Sequence, residues 1–467
     1  MRWPDQSDGR LARVTESEPT GAAGSRWTPT SAALVLGTLW GLAAMGTSAA
    51  SVVLGDLQAD LDIPVSSVAW VLTIFALTFA ASTPVFGRLA DSMGPRKPYV
   101  VGVLLLSTGA LITSLAPNLE VVLLGRAVQG VGAGSIPVMS SAILSLRFSG
   151  QDRTVAFGRV NSAVVVFASM GPIIGGVLGT LGGWRMPFAL SVLALFVLPF
   201  TYRLAPNKGS GAAVDIFGAA LVAGTAATGL ILVQTLSNLG PATLFAVILT
   251  PLLALILARH IRTHPDGFLP LELVTNTTLL RVSLAAAAMP VVYFAALIML
   301  PLDLAQRGWT PLANGLLLLP GAIVGSTISF NSAKAVARWG RIGTATLGLS
   351  LSFLGALAVA AVGLHPGLAG LGFVGLASGY ALAQPSLVGE ASVVVPERLR
   401  GGALGMFNLL FFIGAGLGAA IIGGLADPLG LRGAVLVTSL APLAAVLLLR
   451  RHAREIALAE DPKQTAG

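Results

Sequence analysis

The 467-residue chain contains no cysteine. That excludes a disulfide framework, a thiolate nucleophile and any cysteine-based metal site. Histidine is nearly as scarce: His260, His264, His365 and His452 fall in loops or at the ends of apolar runs. No buried histidine is left for a metal or a proton relay. Charged residues make up only 10% of the chain, and no glycine-rich run ending in Lys-Ser or Lys-Thr offers a phosphate loop. Without buried His, Cys or paired carboxylates there is no catalytic constellation, so no enzyme activity, metal or cofactor is expected.

What the chain has instead is apolar length. Hydrophobic residues make up 55% of it and the mean hydropathy is +0.84, values foreign to a soluble domain. Runs of about 20 apolar residues, enough to cross about 30 Å of hydrocarbon, recur throughout. Fourteen can be counted, near 31–54, 67–87, 98–116, 119–145, 155–180, 186–203, 215–236, 240–259, 281–302, 311–330, 342–364, 367–389, 401–425 and 432–449. Barrel strands would alternate apolar and polar residues over about ten positions, and these runs do not. The expected fold is an all-α polytopic membrane protein with 14 transmembrane helices.

Lys and Arg set the orientation, because positive loops stay on the cytoplasmic side during insertion. With the N-terminus inside, 24 of the 28 basic residues are cytoplasmic; Arg185, Arg307 and Arg432 fall outside, and Arg126 lies within a run. Both termini are therefore expected in the cytoplasm. The net charge of +8 reflects topology, and the partner it implies is a lipid bilayer rather than nucleic acid.

Residues 1–29 carry Asp5, Asp8, Glu16 and Glu18 without an apolar core, so they read as a disordered cytoplasmic tail and not a signal peptide. The remainder divides into six runs (30–203), a linker with an inserted pair (204–262), a cytoplasmic linker (263–278), six further runs (279–450) and a tail (451–467). An internal echo relates the two sixes. Asn161 precedes Gly171 by ten residues, with Gly175 and Gly176 close behind; Asn408 precedes Gly418 by ten, with a second Ile-Ile-Gly-Gly ending at Gly424.

Three stretches carry most of the information. Phe86 to Tyr99 places Gly87, Arg88, Asp91, Gly94, Arg96 and Lys97 between two apolar runs and reads as a tight turn, with Asp91 able to accept from orphan amides at a helix N-terminus. An ordinary basic loop is the plainer reading. Its second-half counterpart, 332–341, has Ala337 where the first has Asp91. Gly171, Gly175 and Gly179 form one smooth helical face beside Pro172, which accounts for close helix packing and a kink without further function. Arg126, followed by Gln129, Gly130 and Gly134, must face protein or water; it is either functional or a brace.

Together the loop and the Gly171-Pro172-Ile-Ile-Gly175-Gly176 run resemble the signatures of the major facilitator superfamily, specifically its fourteen-span drug and proton antiporter branch. The resemblance implies two six-helix bundles plus an inserted pair. It also implies that Asp91 locks one arrangement by meeting a second-half helix near Gly401 and Gly402, and that Arg126 tunes a nearby acid. Such exporters commonly carry that acid in the first span. Aligned on Trp70, this chain has Gly46 there. The remaining proton-coupling candidates are Asp303, Glu390 and Asp56, each at a span end, with Arg126 working through neighbours such as Gln129. The implied activity is proton-coupled efflux of lipophilic drugs or antibiotic-like molecules by a monomer in a bacterial plasma membrane; a dedicated exporter of an endogenous secondary metabolite or other small molecule is the alternative, with a non-transporting membrane sensor behind it. Candidate cavity residues are Trp40, Met45, Gln129, Asn161, Tyr293, Tyr380, Gln384 and Asn408, chosen as polar, aromatic or soft side chains inside spans.

Overall fold

In a bilayer the backbone must satisfy its own hydrogen bonds, so apolar length becomes helix. The computed structural model describes residues 27–460 except 208, 210–214, 236–239, 266, 364 and 397–398. Most of the N-terminal tail, part of the linker after Arg203 and residues 461–467 lie outside the described residues. Among those described there is no strand. The helices are α1 (Pro29–Ser51), α2 (Leu54–Leu61), α3 (Val65–Met93), α4 (Arg96–Ser114), α5 (Leu119–Arg147), α6 (Gly150–Gly182), α7 (Arg185–Ala189), α8 (Ala194–Leu204), α9 (Ile216–Gln234), α10 (Pro241–Thr263), α11 (Leu271–Thr275), α12 (Thr277–Ala305), α13 (Pro311–Ala360), α14 (Pro366–Val393) and α15 (Arg400–Glu460).

Twelve helical stretches among the described residues are long and apolar enough to cross a membrane. Two of them, in α13 and α15, are about twice the usual length, and each is broken by a glycine with left-handed φ: Gly340 at 69° and Gly430 at 71°. A side chain would resist that conformation, so glycine makes the bend. The turn expected at 332–341 is accordingly helical until Gly340. The stretch from Phe86 to Tyr99 needs a similar correction. α3 runs through Gly87, Arg88 and Asp91 to Met93; Gly94 (φ 82°) and Pro95 make the turn, and α4 begins at Arg96. α2 was not expected either, and the run at 186–203 is α7, a 3₁₀ turn (Leu190–Leu193) and α8 in series.

Packing follows the glycines. α1 lies on α6, α3 and α4 on α5, α12 on α15 and α13 on α14. At the α1–α6 contact, a Cβ on Gly175 would lie 2.6 Å from Ala49 Cα, and one on Gly171 would be 2.9 Å from the Met45 carbonyl. At α12–α15, Gly414 and Gly418 sit against the backbone of Ala287 and Val291 in the same four-residue rhythm. The sequence echo thus corresponds to two like helix contacts, each letting backbones approach where van der Waals packing is the main attraction. The two groups meet along α3–α15 and along α6–α13. α9 packs on both α3 and α15, while α10 packs mainly on α9.

Candidate functional site

Arg126 is fully buried on α5. Its Nε donates to the Val71 carbonyl (3.0 Å) and its Nη1 to Gln129 Oε1 (2.7 Å), one helical turn on. Gln129 Nε2 in turn donates to Ser191 Oγ (3.1 Å), a hydroxyl supplied by the 3₁₀ turn between α7 and α8. The guanidinium face lies over the Phe75 ring at 4.1 Å and near Phe188 at 5.5 Å. Nη2 has no partner, and among the described residues no carboxylate comes within 4.0 Å of the group. Gly46 explains what fills the expected acid's place: a Cβ there would run into Ser191 Oγ. A chain of neutral dipoles, Gln129 then Ser191, stands where a carboxylate would neutralise the charge.

Phe75 begins a row of rings that crosses between the two groups of helices. Its centroid is 6.1 Å from Phe79, and Phe79 meets Phe412 of α15 at 4.1 Å. Phe412 contacts Phe411 (5.3 Å), Phe411 contacts Tyr380 (5.8 Å), and Tyr380 contacts Tyr293 (5.2 Å). Spacings of this size favour tilted and edge-to-face contacts, each worth about 0.5–1.5 kcal/mol beyond burial. Of the expected cavity residues, Gln129 therefore joins the arginine, and Tyr293 pairs with Tyr380. Met45 is buried on α1, and Trp40 packs against the core around Leu36 and Leu39. Asn161 is exposed, whereas Gln384 and Asn408 are half-buried; these three join neither cluster.

The acids lie away from Arg126. Asp303 is held between Arg307 Nε (2.8 Å) and Arg432 Nη2 (3.3 Å), beside a cavity of about 410 Å³ also lined by Gln306 and Asp427. Glu390 is 3.8 Å from Arg341. Asp56, half-buried on α2, has its carboxyl pushed above the usual range by desolvation.

The charged end near Gly94 is tied down through carbonyls. Arg88 Nη2 donates to Gly267 (2.9 Å); Arg96 and Arg147 donate to Ala205 (2.8 Å) and Leu204 (3.0 Å), where cations suit the C-terminus of α8. Lys97 and Asp91 are exposed. The contact expected between Asp91 and Gly401 falls outside what is described, and Gly402 packs toward Leu273. Gly171, Pro172 and Gly175 are buried on α6, and Gly176 faces Pro311 and Leu312 at the start of α13.

Residues 36–419 match the family model described as Major Facilitator Superfamily. The chain belongs to that superfamily. This facilitator is 27% identical over 390 residues to the multidrug resistance protein Stp of Mycobacterium tuberculosis, an alignment covering 80% of this chain and 71% of Stp. It is 29% identical over 188 residues, 40% of each chain, to the methylenomycin A resistance protein of Bacillus subtilis. Its fold superposes on a crystal structure of the peptide transporter POT with a TM-score of 0.69 at 16% identity, covering 91% of this chain and 94% of that one. It is a transporter and not an enzyme.

Two features of this facilitator escaped sequence reasoning. Phe75, Phe79, Phe411 and Phe412 carry no polar atom to single them out, although the Phe-Phe pair in a run of Gly, Ala and Leu was a usable signal. Asp215 is the other, standing at the start of the run at 215–236. It caps α9 through Gly218 N–H (2.8 Å) and also accepts from His260 Nε2 on α10 (2.9 Å) and from Phe268 N–H (2.9 Å). Partial burial works against the carboxylate, but these three donors hold it down at about 2.

Proposed function

We propose that this chain exports lipophilic, antibiotic-like molecules across a bacterial plasma membrane in exchange for protons. It works as a monomer of two six-helix bundles, 30–203 and 279–450, with the inserted pair between them in sequence. The carrying observation is the fully buried Arg126 at one end of an aromatic row that joins the two groups of helices. Such a wall suits an apolar, ring-bearing cargo, with a few polar groups to orient it. The drug-resistance names of two relatives support the same class.

Fourteen spans with both termini cytoplasmic remain the preferred topology, because Gly340 and Gly430 divide two long helices into four lengths that can each cross. On that orientation, the close contacts of Gly176 with Pro311 and of Gly315 with Pro172 shut the outer end. The conformation is then the one that loads cargo from the cytoplasm. Arg88 and Asp91 serve the switch between states, and protons are carried by Asp303, Glu390 or Asp56.

Inside-out vesicles containing the full chain should accumulate a hydrophobic dye under an imposed proton gradient and lose that ability when the gradient is collapsed. Undiminished accumulation after collapse would refute proton coupling. Among Asp303→Asn, Glu390→Gln and Asp56→Asn, the coupling acid is the one whose loss stops gradient-driven movement while dye binding persists.

A further inference from the structure

The charge around Arg126 is one-sided. Arg126 is fully buried, its Nε and Nη1 bond only neutral acceptors, and Nη2 has none. Asp303 and Glu390 lie at helix ends beside arginines of their own. Asp60, on α2, is bonded by Trp184 Nε1 and Arg185 Nη1, both at 2.9 Å. The position from which α1 could offer an acid is Gly46, blocked by Ser191. A buried cation without a counter-charge is costly in a low-dielectric setting, and a mobile anion relieves that cost.

We propose that the cargo is a lipophilic organic anion, an aromatic body bearing a carboxylate, sulfonate or phenolate, and that Arg126 selects it by charge. This deepens the export reading and rests on it. Stacking of Phe75 occupies the face of the guanidinium and leaves its edge, where Nη2 lies, as the donor side. Arginine binds carboxylates along that edge through paired N–H groups. Phe75 is also the first ring of the row leading through Phe79 to Phe412, so a ring system stacked along the row places its charged end toward the arginine. Aromatic rings alone would favour cations. Here one of those rings already carries a fixed cation, which turns the preference around.

The test uses two dyes of one ring system, fluorescein as the anion and rhodamine 6G as the cation, with Nile red as a neutral third. Transport into proteoliposomes of the full chain is followed under a proton gradient. Fluorescein should move at least about tenfold faster than rhodamine 6G, an advantage equal to one decade of selectivity. Arg126→Lys should retain the anion preference and Arg126→Gln should lose it. Gly46→Asp combined with Ser191→Ala, which makes room for the new carboxylate, should move the preference toward the cation. That double variant tests the idea even if Arg126→Gln does not fold. Preferred transport of rhodamine 6G or Nile red by the unaltered protein would overturn the anion inference and leave export standing. Movement of none of the three dyes would overturn both.

Discussion

The two seams that join the halves of this transporter are built differently. Along α3–α15 a third helix, α9, lies across the join, and its Gln234 side chain accepts from Thr73 Oγ1 (3.1 Å) and donates to the Ser66 carbonyl (2.9 Å). Along α6–α13 no third helix packs on both partners to a like extent among the described residues. Gly176 and Gly315 touch backbone across the seam, Ser169 Oγ meets Ser326 Oγ at 2.6 Å and donates to the Ala322 carbonyl at 3.3 Å, and a groove of about 340 Å³ lies alongside. One join is bridged by a helix hydrogen-bonded to α3; the other meets directly, through glycine contacts and the Ser169 hydroxyl. Ser169 and Ser326 each keep an intrahelical acceptor, the carbonyls of Val165 and Ala322 (both 2.7 Å), so this contact can part without leaving either hydroxyl unpaired, and α6–α13 is the better place for movement.

The strongest way to break this contrast is Gly176→Leu. A Cβ there would lie 2.7 Å from the Pro311 carbonyl oxygen and 2.8 Å from Leu312 Cα, backbone atoms that cannot swing aside. Overpacking costs roughly 1–3 kcal/mol. If that cost falls on the state closed at this end, the population shifts by about a decade for each 1.4 kcal/mol. Because the chain has no native cysteine, Leu312→Cys can report it: thiol labelling from that end should accelerate about tenfold. Unchanged labelling would show that this seam does not open.

Gln234→Leu should act on stability instead. It removes two buried hydrogen bonds, leaving the Ser66 carbonyl without this donor, at a cost of roughly 1–3 kcal/mol. A lowered unfolding midpoint in detergent is expected without faster labelling at Leu312→Cys. A rise in labelling equal to that of Gly176→Leu would erase the distinction between the seams.

Asp215 sharpens the same comparison at the other end of the α9–α10 pair. Folding depresses its pKa from 3.8 to about 2, so its contribution is complete above the ordinary value and lost as pH falls from about 4 toward 2. Asp215→Asn should lower stability by about 1 kcal/mol at pH 6. The gap from the unaltered protein should close near pH 2, and a gap constant from pH 6 to pH 2 would assign the effect to packing. The smallest effect is expected of Ser169→Ala, which loses a hydroxyl that bonds Ser326 and, at longer range, the Ala322 carbonyl, an interaction worth about 0.6 kcal/mol in a membrane interior. Its dye transport should change less than about threefold; abolition would make that bond a brace as firm as Gln234.

Apolar runs and the Asn-to-Gly echo made the helical architecture legible because both are local patterns. Helix ends were less so: Asn331 to Trp339 is polar enough to leave hydrocarbon, yet nothing in it stops a helix, and α13 continues to the first residue that does, Gly340. The edge of the membrane and the end of a helix are different boundaries. Arg126 stood out in sequence as a charge in an apolar run. Its partners did not, since Ser191 is an ordinary serine 62 residues from Gln129, and Asp215 and His260 are 45 apart. Pairs at such distances leave no periodicity to read.

Gln234 also bears on how the chain is assembled. During synthesis α9 enters the bilayer after α3 and before α15, carrying an amide that hydrocarbon cannot satisfy. Thr73 and Ser66 of α3, which precede it in the chain, satisfy that amide. The helix so docked presents a surface that admits no side chain at Gly423, which would meet the Gln234 amide, and α15 arrives last to fit against it. α9 thus stands between α3 and α15 in the order of synthesis as it does in space.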